Sequence, residues 1–455
     1  MKRIFTLLFI CLSLQIFGQC WKSIDGGVGH TIALKYDGTL WTWGDNWAGQ
    51  LGDGTIVNKS VPRQIRTDTD WEKIAAGGSY SIAIKKDGTL WTWGSNTYGQ
   101  LGNGTTTNVT VPTKIGSDTN WTFVSAGTYH TIALKADGTL CAWGRNNYGQ
   151  LGDGTTINGS IPKKLGIDTN WRTISTGDGH VMAIKTDGTL WTWGYNWAGQ
   201  LGNNTYTDQK FPLQVGSATD WQTVTGGYYF TLAIKTNGTL WAWGSNSNYE
   251  LGDGTLVETR RVPAPIGTDT DWSSISAGAY HGVAMKTDGT IWLWGDNYYG
   301  QLGNGTKNYG RVPAKLEEAN DWQSINTGSV HTLVIKKDGS LWGWGQNFYR
   351  QLGVPSGLER RVPVEIVCGV SLGVDDFDLT SNTTVYPNPV KDTFRVKHRG
   401  TIKTMKIYDI KGTVVKNITE NFDGEVNISN LQKGIYILKF VDDKNKVFSS
   451  RLIKE

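Results

Sequence analysis

The sequence predicts an all-β protein, a seven-bladed β-propeller followed by a small β-sandwich. Three observations carry this expectation. A tryptophan that opens a repeated segment returns at Trp21, Trp71, Trp121, Trp171, Trp221, Trp272 and Trp322, a period of 50 residues with one extra residue in the fifth unit. Three positions of that repeat hold 20 of the 22 tryptophans, leaving only Trp47 and Trp197 elsewhere, so the aromatics belong to a repeated core. Gly is abundant at 59 residues and charged residues are only 18%, with short Thr, Val, Ile and Trp runs between turn residues, which reads as strands and tight turns.

Each unit has room for four short strands. The first runs around Trp21 to Ile24. The second, His30 to Lys35, alternates Ile32 and Leu34 with Thr31 and Ala33. The third, Thr39 to Trp43, puts Trp41 and Trp43 on one face. Asp37 and Gly38 between them form a hairpin-turn signal, because Gly tolerates positive φ. The fourth contains Val61 and Pro62; a proline in every copy removes a ladder donor and places this strand at the outer edge. Seven such units stacked radially close a ring and leave few exposed edges.

The chain ends differ from the repeats. Lys2 and Arg3 precede an apolar run from Ile4 to Phe17, the pattern of a secretory signal peptide over 1–19, with cleavage near Gly18, Gln19 or Cys20. Phe17, Gly18 and Gln19 make a poor lipoprotein box, so Cys20 is not expected to be lipidated. No later stretch could span a membrane as a helix. In an exported chain a disulfide is permitted. Cys368 aligns with Thr67 and Cys20 with Asp70, so ring closure would leave them about three register positions apart, within reach of a Cys20–Cys368 bond. The alternative is two unrelated thiols. Cys141 stands where other units carry Trp41 or Trp91 and reads as a buried thiol.

The segment WGDNWAGQLGDGT and its six relatives resemble the regulator of chromosome condensation repeat family. The resemblance covers residues 21 to about 371 and implies a seven-bladed propeller that binds proteins through loops on one face. Members of that family include a nuclear exchange factor for a small GTPase and secreted bacterial inhibitors of β-lactamase. Export argues against the nuclear role here. Beyond the propeller, taken as 20–371, and a linker over 372–384, alternating segments with turns at Gly412 and Gly434 suggest a β-sandwich over 385–455. Tyr386-Pro387-Asn388-Pro389, the Leu431, Gly434 and Tyr436 segment, and terminal Arg451-Leu452-Ile453-Lys454 resemble the C-terminal sorting domain of the type IX secretion system. That resemblance implies a partner in the type IX machinery, passage through the periplasm and across the outer membrane, a Bacteroidetes-like source, and a domain often removed during export.

Candidate binding residues are sought where the repeats differ. After the invariant asparagine (Asn46 in the first unit) comes a loop carrying Trp47, Tyr98, Tyr148, Trp197, Tyr249, Tyr298, Tyr299, Phe348 and Tyr349. In a ring these form a circle of aromatics, suited to protein or sugar, unless they pack on neighbouring blades. A second variable position, before the histidine site, holds Gly29, Ser79, Tyr129, Gly179, Tyr229, Tyr280 and Val330. Arg260, Arg261, Arg311, Arg360 and Arg361 precede the proline strands of units five to seven and form either an anion patch or edge protection. His30, His130, His180, His281 and His331 share one repeat position, which Tyr80 and Phe230 fill elsewhere; aromatic replacement points to packing and not to metal. Asp53 and Gly54 lack the spacing of a calcium loop. No nucleophile with a base and no phosphate-binding loop stands out, and Asp178 and Glu250 depart from their repeat positions without a visible partner. A net charge of +4 is too small to imply nucleic acid. The expectation is an exported, non-enzymatic binding module for a protein, without cofactor or metal. A glycan-binding protein is the alternative, with a polysaccharide-active enzyme behind it.

Overall fold

A computed structural model describes residues 20–316, 320–368, 384–397, 401–409, 413–418, 425–442 and 447–455. The segment expected to be a signal peptide, 1–19, and nearly all of the expected linker, 372–384, lie outside the described residues. The chain divides into two compact units, Met1–Cys368 and Gly369–Glu455.

The first unit consists of seven four-stranded antiparallel sheets, one per repeat, each in plain meander order. In the first blade the strands are β1 (Trp21–Gly26), β2 (His30–Lys35), β3 (Leu40–Gly44) and β4 (Lys59–Ile65). The β1 strand runs two residues past the expected Ile24. The β3 strand starts one residue later than expected, because Thr39 is held in the turn: Asp37 Oδ1 accepts from the Thr39 amide at 2.9 Å and from its hydroxyl at 2.6 Å. Trp41 Nε1 then donates to Thr39 Oγ1 at 2.8 Å, fastening the hairpin to its own third strand. Gly38 has φ of 79°, and a Cβ there would sit 2.0 Å from the Thr69 carbonyl of the connection to the next blade. The first strands of all seven blades line a central channel with a cavity of about 570 Å³.

The core lies between blades. Ile32, Leu34 and Leu40 of blade 1 pack on Trp71, Ala83 and Trp93 of blade 2, and the same arrangement recurs round the ring. The third-strand tryptophan is the fastener. Trp93 Nε1 donates to the Gln50 carbonyl of the preceding blade at 2.9 Å. Trp143 reaches Gln100, Trp193 reaches Gln150, Trp243 reaches Gln200, Trp294 reaches Glu250 and Trp344 reaches Gln301, all at 2.7–3.0 Å. Gly52 (φ 74°) makes room for this indole, since a Cβ there would stand 2.7 Å from Trp93 Nε1.

The ring closes by the same bond: Trp43 Nε1 donates to the Gln351 carbonyl at 2.9 Å. Thr31 Oγ1 donates to that same oxygen at 2.7 Å, and Trp21, Trp43, Leu333 and Leu341 share one core cluster. Cys20 and Cys368 are disulfide-bonded across the closure, with Cα atoms 6.3 Å apart. Cys141 is buried.

The second unit is a sandwich of two sheets. Thr384–Tyr386, Thr393–Lys397 and Glu425–Asn427 form one; Val414–Ile418, Ile402–Tyr408, Gly434–Asp442 and Val447–Lys454 form the other. Phe394 and Val426 from the first pack on Met405, Leu438 and Phe440 from the second. The two sequence landmarks at its ends meet here. The Ile453 amide donates to Asn388 Oδ1 at 2.9 Å, and Glu455 N donates to the Val390 carbonyl at 2.9 Å. Lys454 Nζ is buried and donates to the Lys391 carbonyl.

Two outcomes follow. Trp193→Phe removes the donor to Gln150 and some core volume, so it is expected to cost about 2–4 kcal/mol of unfolding free energy in denaturant; Trp197→Phe, on the surface, is expected to stay within about 0.5 kcal/mol. Replacing both Cys20 and Cys368 by Ser is expected to lower stability by about 2–4 kcal/mol by freeing the ends of a closed ring. An unchanged denaturation midpoint for the double serine variant would show that inter-blade packing alone closes the ring.

Candidate binding face

Two loops of every blade emerge on one face, the β1–β2 loop at the channel mouth and the long β3–β4 loop outside it. The long loop is built round its asparagine. Asn46 is fully buried; its Nδ2 donates to the carbonyls of Thr55 and Val57 at 3.1 Å, and its Oδ1 accepts from Leu51 N at 2.9 Å. Asp53 closes a turn by accepting from Thr55 N at 2.9 Å. The asparagine thus holds a scaffold on which its neighbours can vary.

Those neighbours fall into three registers with different surroundings. Trp47, Trp197, Tyr298 and Phe348 occupy the residue directly after the asparagine and are 58%, 55%, 60% and 51% exposed. Tyr98 and Tyr148 come one residue later and are half-buried, turned toward the next blade. Tyr98 meets Tyr129 at 5.1 Å between ring centres, and Tyr148 lies over Gly179, whose Cβ would stand 3.6 Å from the ring. Tyr249 comes one residue later still, at φ 63°, against Tyr309 at 6.0 Å and under the Arg311 guanidinium at 4.9 Å. The first register presents its large rings outward, and in the second register Tyr349 is also exposed, at 44%.

Around the channel mouth the structure gathers residues that the sequence kept apart. Arg145 stacks over Tyr98, Tyr129 and Tyr148 at 5.4, 5.7 and 5.3 Å. Tyr148 lies 4.1 Å from Tyr195, which meets Tyr229 at 6.1 Å. Trp197 sits edge-on to Tyr229 at 5.7 Å. Tyr228 contacts Tyr229 and Tyr280, and its hydroxyl accepts from Ser329 Oγ, two blades on, at 3.2 Å. Burial pushes Tyr195 and Tyr280 up to about 12, with neighbouring tyrosines and Asp178 adding to it. The sequence signal for Tyr228, Arg145 and Tyr195 was their departure from Val28 and Asp45 at equivalent positions, in loops whose proximity only the ring defines. Glu250 takes the place of a loop glutamine and accepts from Asn248 N at 2.8 Å, as Gln50 does from Ala48 N at 2.9 Å.

The arginines are engaged locally. Arg260 pairs with Asp253 at 2.6 Å, Arg361 with Glu359 at 2.9 Å, and Arg261 lies over Tyr206 at 5.1 Å. Arg360 is half-buried. The five histidines are fully buried between blades. His30 Nε2 meets Ser81 Oγ at 3.0 Å, and Ser81 Oγ donates to the Gln50 carbonyl at 2.8 Å. Burial lowers the histidines to about 3–4. Among the described residues no three His, Cys, Asp or Glu side chains converge as metal ligands would.

A closed ring of seven tandem four-stranded repeats with variable loops gathered on one face defines a repeat β-propeller. Residues 160–386 match the RCC1-like domain, and residues 37–84 and 87–134 match the regulator of chromosome condensation (RCC1) repeat; a second description of that repeat matches 21–50, 71–100 and 121–150. The chain belongs to this repeat family. Residues 384–455 match the secretion system C-terminal sorting domain, which marks the protein for type IX secretion to the cell surface or the extracellular space. Among solved structures it is similar to human WBSCR16, at 22% identity and TM-score 0.66 over 72% of this chain and 94% of that one. It is also similar to Prp20p of Saccharomyces cerevisiae, at 20% identity and TM-score 0.66 over 81% and 90%. At these identities the likeness concerns the fold. No helix among the described residues is long and apolar enough to cross a membrane.

The buried histidines set an acid limit. Their folded-state values near 3–4 lie below the ordinary 6.5, so the unfolded chain takes up protons first as pH falls below 6.5, and stability drops toward pH 4 by about 1.4 kcal/mol per pH unit for each histidine. Asp25 works the other way: burial raises it to about 6, so its folded form holds a proton below pH 6 and offsets one histidine. His130 has no protein partner on either ring nitrogen, whereas Tyr80 at the same position donates to the His130 carbonyl at 2.6 Å. His130→Tyr is therefore expected to raise Tm at pH 5 more than at pH 7.5. An equal change at both pH values in thermal melts would remove the histidines as the cause of acid lability.

Proposed function

We propose that the protein is a secreted binding module that captures a protein partner on the loop face of its propeller and performs no catalysis. One observation carries this reading: outward-facing Trp47, Trp197, Tyr298 and Phe348 share a single face with the tyrosine cluster at the channel mouth. Large rigid aromatics bury much area on contact and lose little side-chain entropy. The family supports the reading by analogy, since yeast Prp20p is described by its binding to Gsp1p and histones and has been crystallised with Kap60. The ion-paired and stacked arginines favour edge protection over an anion patch.

The test is capture from surface extracts and spent medium with the chain from Cys20 to Glu455, beside a Trp47→Ala/Trp197→Ala variant. A protein is expected to be retained by the parent and reduced at least about tenfold by the variant. Equal retention would move the site off this face. Retention of polysaccharide, lost in the variant, would replace the protein reading by a glycan one.

A further inference from the structure

The loop face has a charged centre. At the residue of the β1–β2 loop where other blades carry Val28, Gly78, Thr128, Tyr228, Ala279 or Ser329, the fourth blade carries Asp178. Asp178 and Tyr228 both line the central cavity. The other acidic groups that line it are occupied: Asp25 accepts from Gly26 N at 3.0 Å and Ala76 N at 2.9 Å, and Glu72 pairs with Lys22 at 3.1 Å. Asp178 accepts a side-chain hydrogen bond from Thr128 and makes no ion pair among the described residues. Arg145 contributes at a distance, its guanidinium held over three tyrosine rings. The Asp178 amide donates to the Gly227 carbonyl at 3.3 Å, which sets Asp178 beside Tyr228, and Tyr228 in turn contacts Tyr229 and Tyr280. Ser329 tethers the Tyr228 hydroxyl at 3.2 Å and so fixes that ring across the mouth.

A half-buried carboxylate beside a tyrosine cluster is suited to receive a cation: the carboxylate supplies charge, ring faces can add their negative potential, and partial burial strengthens both. We propose that the channel mouth seats one cationic side chain of a protein partner, an arginine or lysine, between the Asp178 carboxylate and the rings of Tyr228, Tyr229 and Tyr280. This rests on the protein-binding reading of the same face and adds the chemistry of its central contact. A planar guanidinium suits it best, because it can accept a ring on its face while donating to a carboxylate at its edge.

The test uses the chain from Cys20 to Glu455 carrying 5-fluorotryptophan. The Trp197 fluorine signal, assigned by its absence in Trp197→Phe, reports on the ring beside Tyr229. Two peptides are titrated, acetyl-Gly-Ser-Arg-Ser-Gly-amide and the same peptide with citrulline, which keeps the shape and loses the charge. The arginine peptide is expected to move the signal saturably, with citrulline about tenfold weaker. Asp178→Asn, which keeps the side-chain shape, is expected to bring arginine down to the citrulline level. Equal binding of the two peptides, no response to arginine, or full arginine binding by Asp178→Asn would each overturn the seat. The capture experiment run with Asp178→Asn separates the two readings. A partner kept by Asp178→Asn but lost by Trp47→Ala/Trp197→Ala leaves the binding face standing without the cationic contact, whereas a partner kept by both variants removes the face as well.

Discussion

The indole N–H that each blade donates to a main-chain carbonyl of the blade before it holds the ring together. The bond is buried and the carbonyl belongs to the first turn of the long β3–β4 loop, so one contact fixes sheet to sheet and loop to sheet. A neutral hydrogen bond of this kind contributes about 1 kcal/mol, while the ring around it removes on the order of 200 Å² from water. The hydrogen bond sets the geometry and the burial supplies most of the free energy. In several blades the carbonyl also accepts a hydroxyl from the neighbouring second strand, as Thr131 Oγ1 does for Gln100 at 3.0 Å. Blade spacing is thereby set by the same pair of donors at five of the seven joints. Closure between the seventh and first blades reuses it, with the Cys20–Cys368 bond added where the chain ends would otherwise fray.

That division of labour explains where variation is tolerated. The asparagine hub satisfies the backbone of the long loop from inside, so the residue directly after it can be Trp47, Thr97, Asn147 or Ser247 without disturbing the turn. The next residue is less free, since it leans on the following blade. Three of these gaps pair one large ring with a small residue: Tyr148 with Gly179, Tyr349 with Gly29, Ala198 with Tyr229. The gap between Tyr98 and Tyr129 holds two rings, and there Arg145 stacks on both. The face is thus uneven, with small residues near the mouth in blades 1 and 2 and aromatics concentrated in blades 3 to 6.

The sorting domain obeys a separate logic. Its core is formed across two sheets, and its first and last landmark segments are hydrogen-bonded to each other. A short motif near one end of that domain and the terminal residues therefore form one local structure, although about sixty residues separate them.

The sequence by itself determined the number of blades, their strands, the hairpin turns, the outer proline edge and the split between scaffold and variable positions. Each of these rests on local chemistry repeated at a fixed spacing: a glycine at positive φ, a proline without a donor, alternation along a strand. It also left Cys20 and Cys368 legible as neighbours, because a closed ring returns its end to its start. What only the tertiary structure decided is which variable residues meet. Trp47, Tyr98 and Tyr249 read alike in sequence but stand in three environments, because a one-residue step in a tight loop turns a side chain from solvent to the next blade. The contact between Tyr228 and Ser329 joins loops 101 residues apart, and Asp178 shares the central cavity with Tyr228 of the next blade. A ring brings the tips of non-consecutive repeats to one point, and no periodicity along the chain encodes which side chains will be waiting there.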